Sequence, residues 1–162
     1  MAAVLTVVGS LTKFLERHYN IFLTVNLHDQ FLDKTDAEES RLLGCDPGAP
    51  CLRRQVSLMH RNTALFDAEP VLPLDTIPTD LMQALEAGRE PLGNLLMDRG
   101  LSLSRSDLSV ARIAVGEGAA RVLRWSRRSV LRSPSGTRAL VVECFHDVMW
   151  SRLHAAVDRR GK

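Results

Sequence analysis

Two charged residues lie inside otherwise apolar stretches of the sequence. Arg54 comes shortly before Val56 and Leu58, and Glu143 follows the apolar run 140–142. Because strand side chains alternate between two faces, Arg54 is predicted to share the covered face with Val56 and Leu58. A charge buried alone costs several kcal/mol, so each of the two residues needs a partner. They could pair with each other or with neighbours, or they could hold an anionic ligand.

Other patterns that carry chemistry are absent from the sequence. It has no glycine-rich phosphate loop and no nucleophile elbow, and its 5 histidines are scattered rather than placed at metal-ligand spacing. Its cysteines are Cys45, Cys51 and Cys144, whose number and spacing fit neither a disulfide framework nor a zinc site. We therefore expect reduced thiols, a cytoplasmic protein and no bound metal.

The charge is divided unevenly along the chain. The formal net charge is +2, but residues 1–98 hold 8 basic and 14 acidic side chains, whereas residues 99–162 hold 13 and 5. A basic half could suit nucleic acid, yet no nucleic-acid-binding motif accompanies it. No apolar run approaches the roughly 20 residues needed to cross a bilayer. We expect neither nucleic acid nor a membrane as a partner, while a small anionic ligand stays possible.

Apolar periodicity and turn residues predict the elements that must position Arg54 and Glu143. In chain order these are a helix over residues 10–18, a strand over 21–27, a polar loop or mobile flap over 29–49, hairpin strands over 52–58 and 64–72, a helix capped by Thr79 and stopped by Gly88, a short helix from Pro91, strands over 103–115, 120–132 and 139–148, and a terminal helix over 150–159.

The order of these elements predicts the fold class. The last three strands are joined by tight turns, so they must be antiparallel neighbours. A length of 162 residues with 45% apolar residues suits one globular domain over residues 1–162. We predict an α+β domain built on an antiparallel β-sheet with helices packed on one face.

Five segments, taken together, resemble a known family. They are SLTKFLE at residues 10–16, the strand around Arg54, REPLGNLL at 89–96, WSRRS at 125–129 and VECF at 142–145. In this order they resemble the chorismate pyruvate-lyase family over about residues 10–148. Any one segment is weak evidence by itself, but the set is fairly specific.

The resemblance implies a fold, a reaction and a set of site residues. Members of this family fold as an antiparallel sheet that encloses its ligand under flaps, use no cofactor, and convert chorismate to 4-hydroxybenzoate and pyruvate. Carried over by position, the ligand-contacting arginine is Arg54 and the acidic contact is Glu143, which we take as the catalytic pair. The substrate-binding contacts are these two residues with Leu11 on the flap helix and Leu92 and Gly93 in the Pro-Leu-Gly element.

These residue types suit the chemistry of chorismate, which carries a ring carboxylate and an enolpyruvyl carboxylate. A guanidinium can give one carboxylate a two-pronged contact that lysine cannot reproduce. Backbone N–H groups at the start of the helix after Pro91 could bind negative charge, and Gly93 would let the backbone come close. Glu143 could hydrogen-bond the ring hydroxyl that becomes the phenol.

Two departures leave alternatives open. Some members of the family carry Gly-Arg where this chain has Ala68-Glu69, so a positive contact would become negative if Glu69 lined the cavity. The segment between Tyr19 and Cys51 has little that matches. The alternatives are a family member recruited to another small-molecule step and a stand-alone sensor of small carboxylates. We expect a small anionic substrate as partner and a monomer or small homo-oligomer.

Overall fold

An antiparallel β-sheet forms the centre of the protein, and the computed structural model describes residues 1–96 and 103–161. The helices and strands, in chain order, are α1 (Ala2–Leu5), α2 (Leu11–Tyr19), β1 (Thr24–Lys34), α3 (Ala37–Leu43), β2 (Pro50–His60), β3 (Thr63–Pro73), α4 (Thr79–Ala87), α5 (Leu92–Leu96), β4 (Ser104–Val115), β5 (Val122–Arg132), β6 (Arg138–Phe145) and α6 (Asp147–Arg160).

The order of the strands places Arg54 and Glu143 on two strands that are separated by a single strand. The sheet runs β1-β2-β3-β6-β5-β4 with every neighbouring pair antiparallel, so β3 separates the strands that carry the two residues. Ala68 on β3 pairs with Val56 on one side and with Glu143 on the other. Its small side chain leaves space beside the carboxylate. The predicted α+β class and the antiparallel β4-β5-β6 meander are confirmed.

The pairing of β2 with β3 is interrupted next to Arg54. Paired residues stop at Arg53–Val71 and resume at Val56–Ala68. Pro70 lies in the gap, and a proline has no N–H to donate to a neighbouring strand. The backbone that carries Arg54 is therefore less tightly joined to β3 than the rest of the hairpin.

Helices cover both faces of the sheet, although unequally. In the described ranges α1, α2, α4, α5 and α6 pack against one face and form the large core that includes Leu15, Leu85 and Met149. Helix α3 lies on the opposite face, where Leu42 and Leu43 pack on a smaller apolar cluster. Burying a leucine contributes about 1.5–3 kcal/mol, so these two leucines suffice to dock a short helix. The prediction that helices occupy one face omits α3.

The prediction of a loop or flap over residues 29–49 is wrong. Strand β1 continues to Lys34, and α3 follows with a complete capping box, in which Asp36 accepts from the Glu39 N–H and Glu39 accepts from the Asp36 N–H. Two of the acidic side chains in this segment, Asp33 and Glu39, form ion pairs with a basic residue instead of being fully solvated. Arg53 donates to Asp33 at 2.6 Å and to Glu39 at 2.7 Å.

Several element boundaries also differ from the prediction. Thr79 is the first residue of α4 rather than its cap, which is Pro78, while Gly88 ends the helix in the left-handed region as expected. Strand β6 ends at Phe145 and α6 starts at Asp147, earlier than predicted. The β2–β3 hairpin is confirmed, and its two turn residues both have positive φ, as a tight two-residue turn requires.

Helices α2 and α5 approach each other closely at one glycine. A Cβ added to Gly93 would lie 2.8 Å from Oγ of Ser10. Ser10 caps α2, because its Oγ accepts the Lys13 N–H at 3.3 Å. Gly93 therefore allows the start of α5 to pack on the start of α2.

We predict that Glu39→Gln lowers the free energy of unfolding by about 1 kcal/mol at pH 7, because Gln keeps the capping box and loses only the charge that pairs with Arg53. The hydrogen bond from Arg53 holds the pKa of Glu39 below its usual 4.5. A carboxyl whose folded pKa is lowered stabilises the fold above its unfolded pKa and loses that effect as the pH falls through its folded pKa. The difference between variant and wild type should therefore shrink below pH 4.5.

Urea unfolding at about pH 7 and about pH 3 measures both effects. Glu38→Gln is the matched control, since Glu38 is exposed and its removal should change stability little. A Glu39→Gln difference of equal size at both pH values would contradict the assignment.

We predict that Gly93→Ala lowers the free energy of unfolding by about 1–2 kcal/mol, because the new methyl group displaces the capping Ser10. Gly9→Ala is the control, as a Cβ there meets nothing within 4 Å. Thermal or urea unfolding compares the two variants. Equal stability of both would show that the α2–α5 contact tolerates a side chain at position 93.

Candidate functional site

A cavity lies between the helix-covered face of the sheet and the first residues of α2 and α5. Its walls are largely apolar, with Val56, Leu58, Phe66 and Val141 among them. Arg54, Arg105 and Glu143 also line it. Its volume is about 50 Å³. The cavity is thus a mostly apolar space with a few charged groups at its wall, as small-molecule sites usually are.

Arg54 is a buried cation that has no carboxylate partner among the described residues. Only 2% of its surface is exposed, and its Nε and Nη2 find no hydrogen-bond partner in residues 1–96 and 103–161. Burial lowers the pKa of this guanidinium. An arginine side chain nevertheless remains a cation in proteins. A desolvated cation with free donors favours an anion beside it.

In contrast to Arg54, the neighbouring Arg53 has carboxylate partners in the described part of the chain. Its side chain points to the other face of the sheet and donates to Asp33 and Glu39. The hydrogen bond to Glu39 and the one to Asp33 raise the pKa of Arg53 above its usual value. The strand parity used in the sequence analysis therefore separates the two arginines correctly.

Glu143 is buried next to two other arginines rather than next to Arg54. Its Oε1 accepts a hydrogen bond from Nε of Arg127 at 2.6 Å and lies 3.5 Å from Nη1 of Arg105. Glu143 is 5% exposed and Arg127 is 1% exposed. Of the two possibilities left by the sequence, Glu143 pairs with neighbours, and the Arg54 guanidinium remains available to the cavity.

Both of these arginines also bind the first residues of the chain. Nη1 of Arg127 donates to the carbonyl oxygens of Val4 and Val7 at 3.1 and 3.3 Å. Nε and Nη2 of Arg105 each donate to the carbonyl oxygen of Gly9 at 3.2 Å. We call residues 1–10 the N-terminal strap. The strap, Arg105, Arg127 and Glu143 form one buried polar cluster.

Sequence reasoning did not assign a role to Arg105 or Arg127. Arg127 lies in the WSRRS segment that carries the resemblance, and it alternates with buried Ser129 and Leu131 along β5, which is a signal for the covered face. Arg105 follows buried Leu103 by two residues. The parity argument that found Arg54 could have placed Arg127 on the covered face, but it does not reach Arg105, because the pairing of β4 is irregular between Ser106 and Ser109.

Burial is the main cause of a lowered pKa at Arg105. Its side chain is 3% exposed. Desolvation lowers the pKa of Arg105 to about 10, with Glu143 opposing the shift and Arg127 adding to it. The group is still a cation at pH 7.

The other residues expected at the site all line the same cavity. Leu11 at the start of α2 and Leu92 and Gly93 at the start of α5 contribute to its wall. However, α5 has only five residues, so little helix dipole develops at its start. Asn94 donates the first hydrogen bond of this turn, to the carbonyl of Pro91. The backbone N–H groups of Leu92 and Gly93 would therefore bind an anion by direct hydrogen bonds, with little contribution from a helix dipole.

The Ala68-Glu69 departure does not change the charge of the cavity. Ala68 lines the cavity, while Glu69 pairs with Val142 on the opposite face of the sheet and is exposed. The acidic side chain therefore points away from Arg54 and Glu143.

Within the described residues, the side chains do not form a metal centre. No group of three or more His, Cys, Asp or Glu residues there could hold a metal ion. The three cysteines are free, and burial raises the pKa of Cys51 and of Cys144, which keeps both thiols protonated at neutral pH. No helix in the described part of the chain has the length and apolarity needed to cross a membrane.

Solved structures of PhnF from Mycobacterium smegmatis have a similar fold. The effector domain of PhnF from Mycobacterium smegmatis superposes with a TM-score of 0.65 at 16% identity, covering 86% of this chain and 89% of that one. A second structure of PhnF from the same organism gives a TM-score of 0.67 at 15% identity over 89% of this chain and 66% of that one. At this level of identity the similarity concerns the fold alone.

Sequence comparison is more specific. A "probable chorismate pyruvate-lyase" from Alcanivorax borkumensis is 31% identical over 147 residues, which are 91% of this chain and 69% of that protein. The family described as chorismate lyase matches residues 2–155. The resemblance identified from five short segments is thereby confirmed over nearly the whole chain, and the protein belongs to the chorismate lyase family.

Proposed function

We propose that this protein is a chorismate pyruvate-lyase that converts chorismate to 4-hydroxybenzoate and pyruvate without a cofactor, in the cytoplasm. The observation that carries the proposal is the buried Arg54 guanidinium, which has free donors at the wall of a cavity that Glu143 also lines. Membership of the chorismate lyase family supports the choice of substrate.

Arg54 would bind the ring carboxylate. Two N–H groups of a guanidinium match the two oxygens of a carboxylate, and burial strengthens the interaction because little water competes for it. The ligand carboxylate would supply the counter-charge that Arg54 lacks in the described part of the chain. Binding would therefore give the buried Arg54 guanidinium the counter-charge that favours it.

Glu143 would accept a hydrogen bond from the ring hydroxyl. Its Oε1 already accepts from Arg127, so the group acts as a carboxylate and its remaining oxygen can accept from a ligand. Arg54 on β2 and Glu143 on β6 lie on either side of β3. A ring with a carboxylate and a hydroxyl at opposite ends can contact both.

The proposed reaction requires the protein mainly to hold the substrate in the correct geometry. The ring carbon–oxygen bond breaks, the adjacent carbon loses its hydrogen as a proton, and enolpyruvate takes up a proton to leave as pyruvate. The ring becomes aromatic, which makes the elimination strongly downhill. We expect catalysis to come from holding the ether in a reactive conformation away from water, with cations near the departing carboxylate.

Substrate entry requires movement of the cavity wall. A volume of about 50 Å³ is well below the roughly 300 Å³ at the lower end of ligand sites. The part of the wall that lies outside the sheet consists of Ser10 with the start of α2, and of Glu90 and Pro91 with the start of α5. Their displacement would admit chorismate, and the same movement would limit product release.

Incubation of the purified protein with chorismate tests the proposal. We expect 4-hydroxybenzoate, followed by its absorbance, and pyruvate, followed through lactate dehydrogenase, in equal amounts. Saturable binding of chorismate without either product would refute the lyase and favour a sensor. Pyruvate with a different aromatic product would point to a family member recruited to another step.

We predict that Arg54→Met lowers kcat/KM for chorismate at least about 100-fold while raising the free energy of unfolding by about 1 kcal/mol. The loss of activity follows from the missing carboxylate contact, and the gain in stability follows from removing a buried charge that has no partner. Steady-state kinetics and urea unfolding measure the two effects.

Arg53→Met is the matched control, since it changes the same residue type at the adjacent position on the other face of β2. It should leave kcat/KM within about threefold and lower stability, because Asp33 and Glu39 lose their partner. Near-normal turnover in Arg54→Met would remove Arg54 from the site.

A further inference from the structure

The buried charges around the cavity do not cancel. Among the described residues the guanidiniums of Arg54, Arg105 and Arg127 face a single buried carboxylate, that of Glu143. Glu90 also lines the cavity, but it is exposed and its charge is screened by solvent. Arg54, Arg105, Arg127 and Glu143 together therefore carry an excess of two positive charges. An occupant with two negative charges matches this excess, whereas a monoanion leaves one buried cation unpaired.

Arg105 has a donor to spare for such an occupant. A guanidinium carries five N–H groups. In the described part of the chain Nε and Nη2 each donate once to the Gly9 carbonyl, and Nη1 donates to Oγ of Ser129 and lies 3.5 Å from Glu143. One N–H of Nη2 is left over, on a side chain that is 3% exposed and lines the cavity.

The position of Arg105 fits the second carboxylate of the ligand. In the proposed orientation the ring carboxylate contacts Arg54 and the ring hydroxyl contacts Glu143. The enolpyruvyl ether is attached to the carbon next to the one that bears the hydroxyl, so its carboxylate lies beside Glu143. Arg105 is next to Glu143, and it reaches the cavity from β4, on the far side of β6 from Arg54.

We propose that Arg105 binds the second carboxylate of a dicarboxylate ligand, and that the site thereby selects dianions over monoanions of the same ring. This inference rests on the proposed function for the orientation of the ligand. It makes Arg105 a residue that determines specificity and that holds the carboxylate of the leaving group, in addition to joining the strap to β4.

A pair of stable aromatic ligands isolates the second carboxylate. The first, 3-(carboxymethoxy)-4-hydroxybenzoate, keeps the ring carboxylate, the hydroxyl and an ether-linked carboxylate. The second, 3-(2-hydroxyethoxy)-4-hydroxybenzoate, has a side chain of the same length that is uncharged. Titration calorimetry at about 0.15 M salt gives both dissociation constants. We expect the wild type to bind the dicarboxylate at least about tenfold more tightly. Equal affinities would overturn the inference.

Substitution of Arg105 tests which residue makes this selection. In Arg105→Gln the dicarboxylate should lose at least about tenfold in affinity, while the affinity for the monocarboxylate analogue changes by less than about threefold. Arg112→Gln is the matched control, because it removes the same charge from an exposed position on the same strand and should change neither ligand. Equal losses for both ligands in Arg105→Gln would show that Arg105 only supports the strap.

If the Arg105→Gln variant does not fold, the same two ligands are measured with Arg105→Lys. Lysine restores the charge without the forked donors, so a preference for the dicarboxylate should survive at reduced size. Complete loss of the preference in a folded Arg105→Lys protein would contradict a charge-based role.

The experiment separates this inference from the proposed function. Selectivity for the dicarboxylate together with no turnover of chorismate would keep the charge-matching site and refute the lyase. Turnover of chorismate with no selectivity between the two ligands would keep the lyase and refute the role of Arg105.

Discussion

The site depends on the buried positive charge of Arg54, which no carboxylate pairs with in the described part of the chain. Among the described residues its Nε and Nη2 have no hydrogen-bond partner, which is an unfavourable state for a protein interior. The fold tolerates it because the large core around Arg54 supplies stabilisation elsewhere. In the proposed complex an anionic ligand would pair with Arg54. The unfavourable free energy of the unpaired guanidinium would then be relieved, and this would strengthen binding. The interrupted β2–β3 pairing beside Pro70 gives this strand segment some freedom to adjust to a ligand.

Glu143 is the counterpart of Arg54, and its carboxylate is already held by the protein's own arginine side chains. Arg127 fixes the carboxylate with a short hydrogen bond, and Arg105 approaches it from β4. Since Arg127 and Glu143 are a directly paired position between β5 and β6, the sheet register itself sets their geometry. A carboxylate positioned in this way can recognise a hydroxyl group without reorganising, which is how preorganised sites reduce the cost of binding.

Sequence reasoning succeeded where local patterns decide the structure. Alternation in β2 placed Arg54 inside because Val56 and Leu58 leave little ambiguity, and the turn residues between β2 and β3 predicted the hairpin. It failed over residues 29–49, because the acidic side chains there are satisfied by Arg53 on the next strand, and local composition does not report that contact. The partners of Glu143 were missed for a related reason. Choosing them requires the strand order β6-β5-β4 and its register, which arise from long-range pairing.

The N-terminal strap is connected, through Arg105 and Arg127, to the carboxylate of Glu143, which lies more than a hundred residues away in sequence. Carbonyl oxygens of Val4, Val7 and Gly9 serve as fixed acceptors for Arg127 and Arg105, and both arginines touch Glu143. A substitution, cleavage or fusion that disturbs the backbone before Ser10 would therefore alter the hydrogen bonding of the carboxylate without changing any side chain that contacts it. The backbone of the strap thus helps to position the carboxylate of the candidate site, as the strands do.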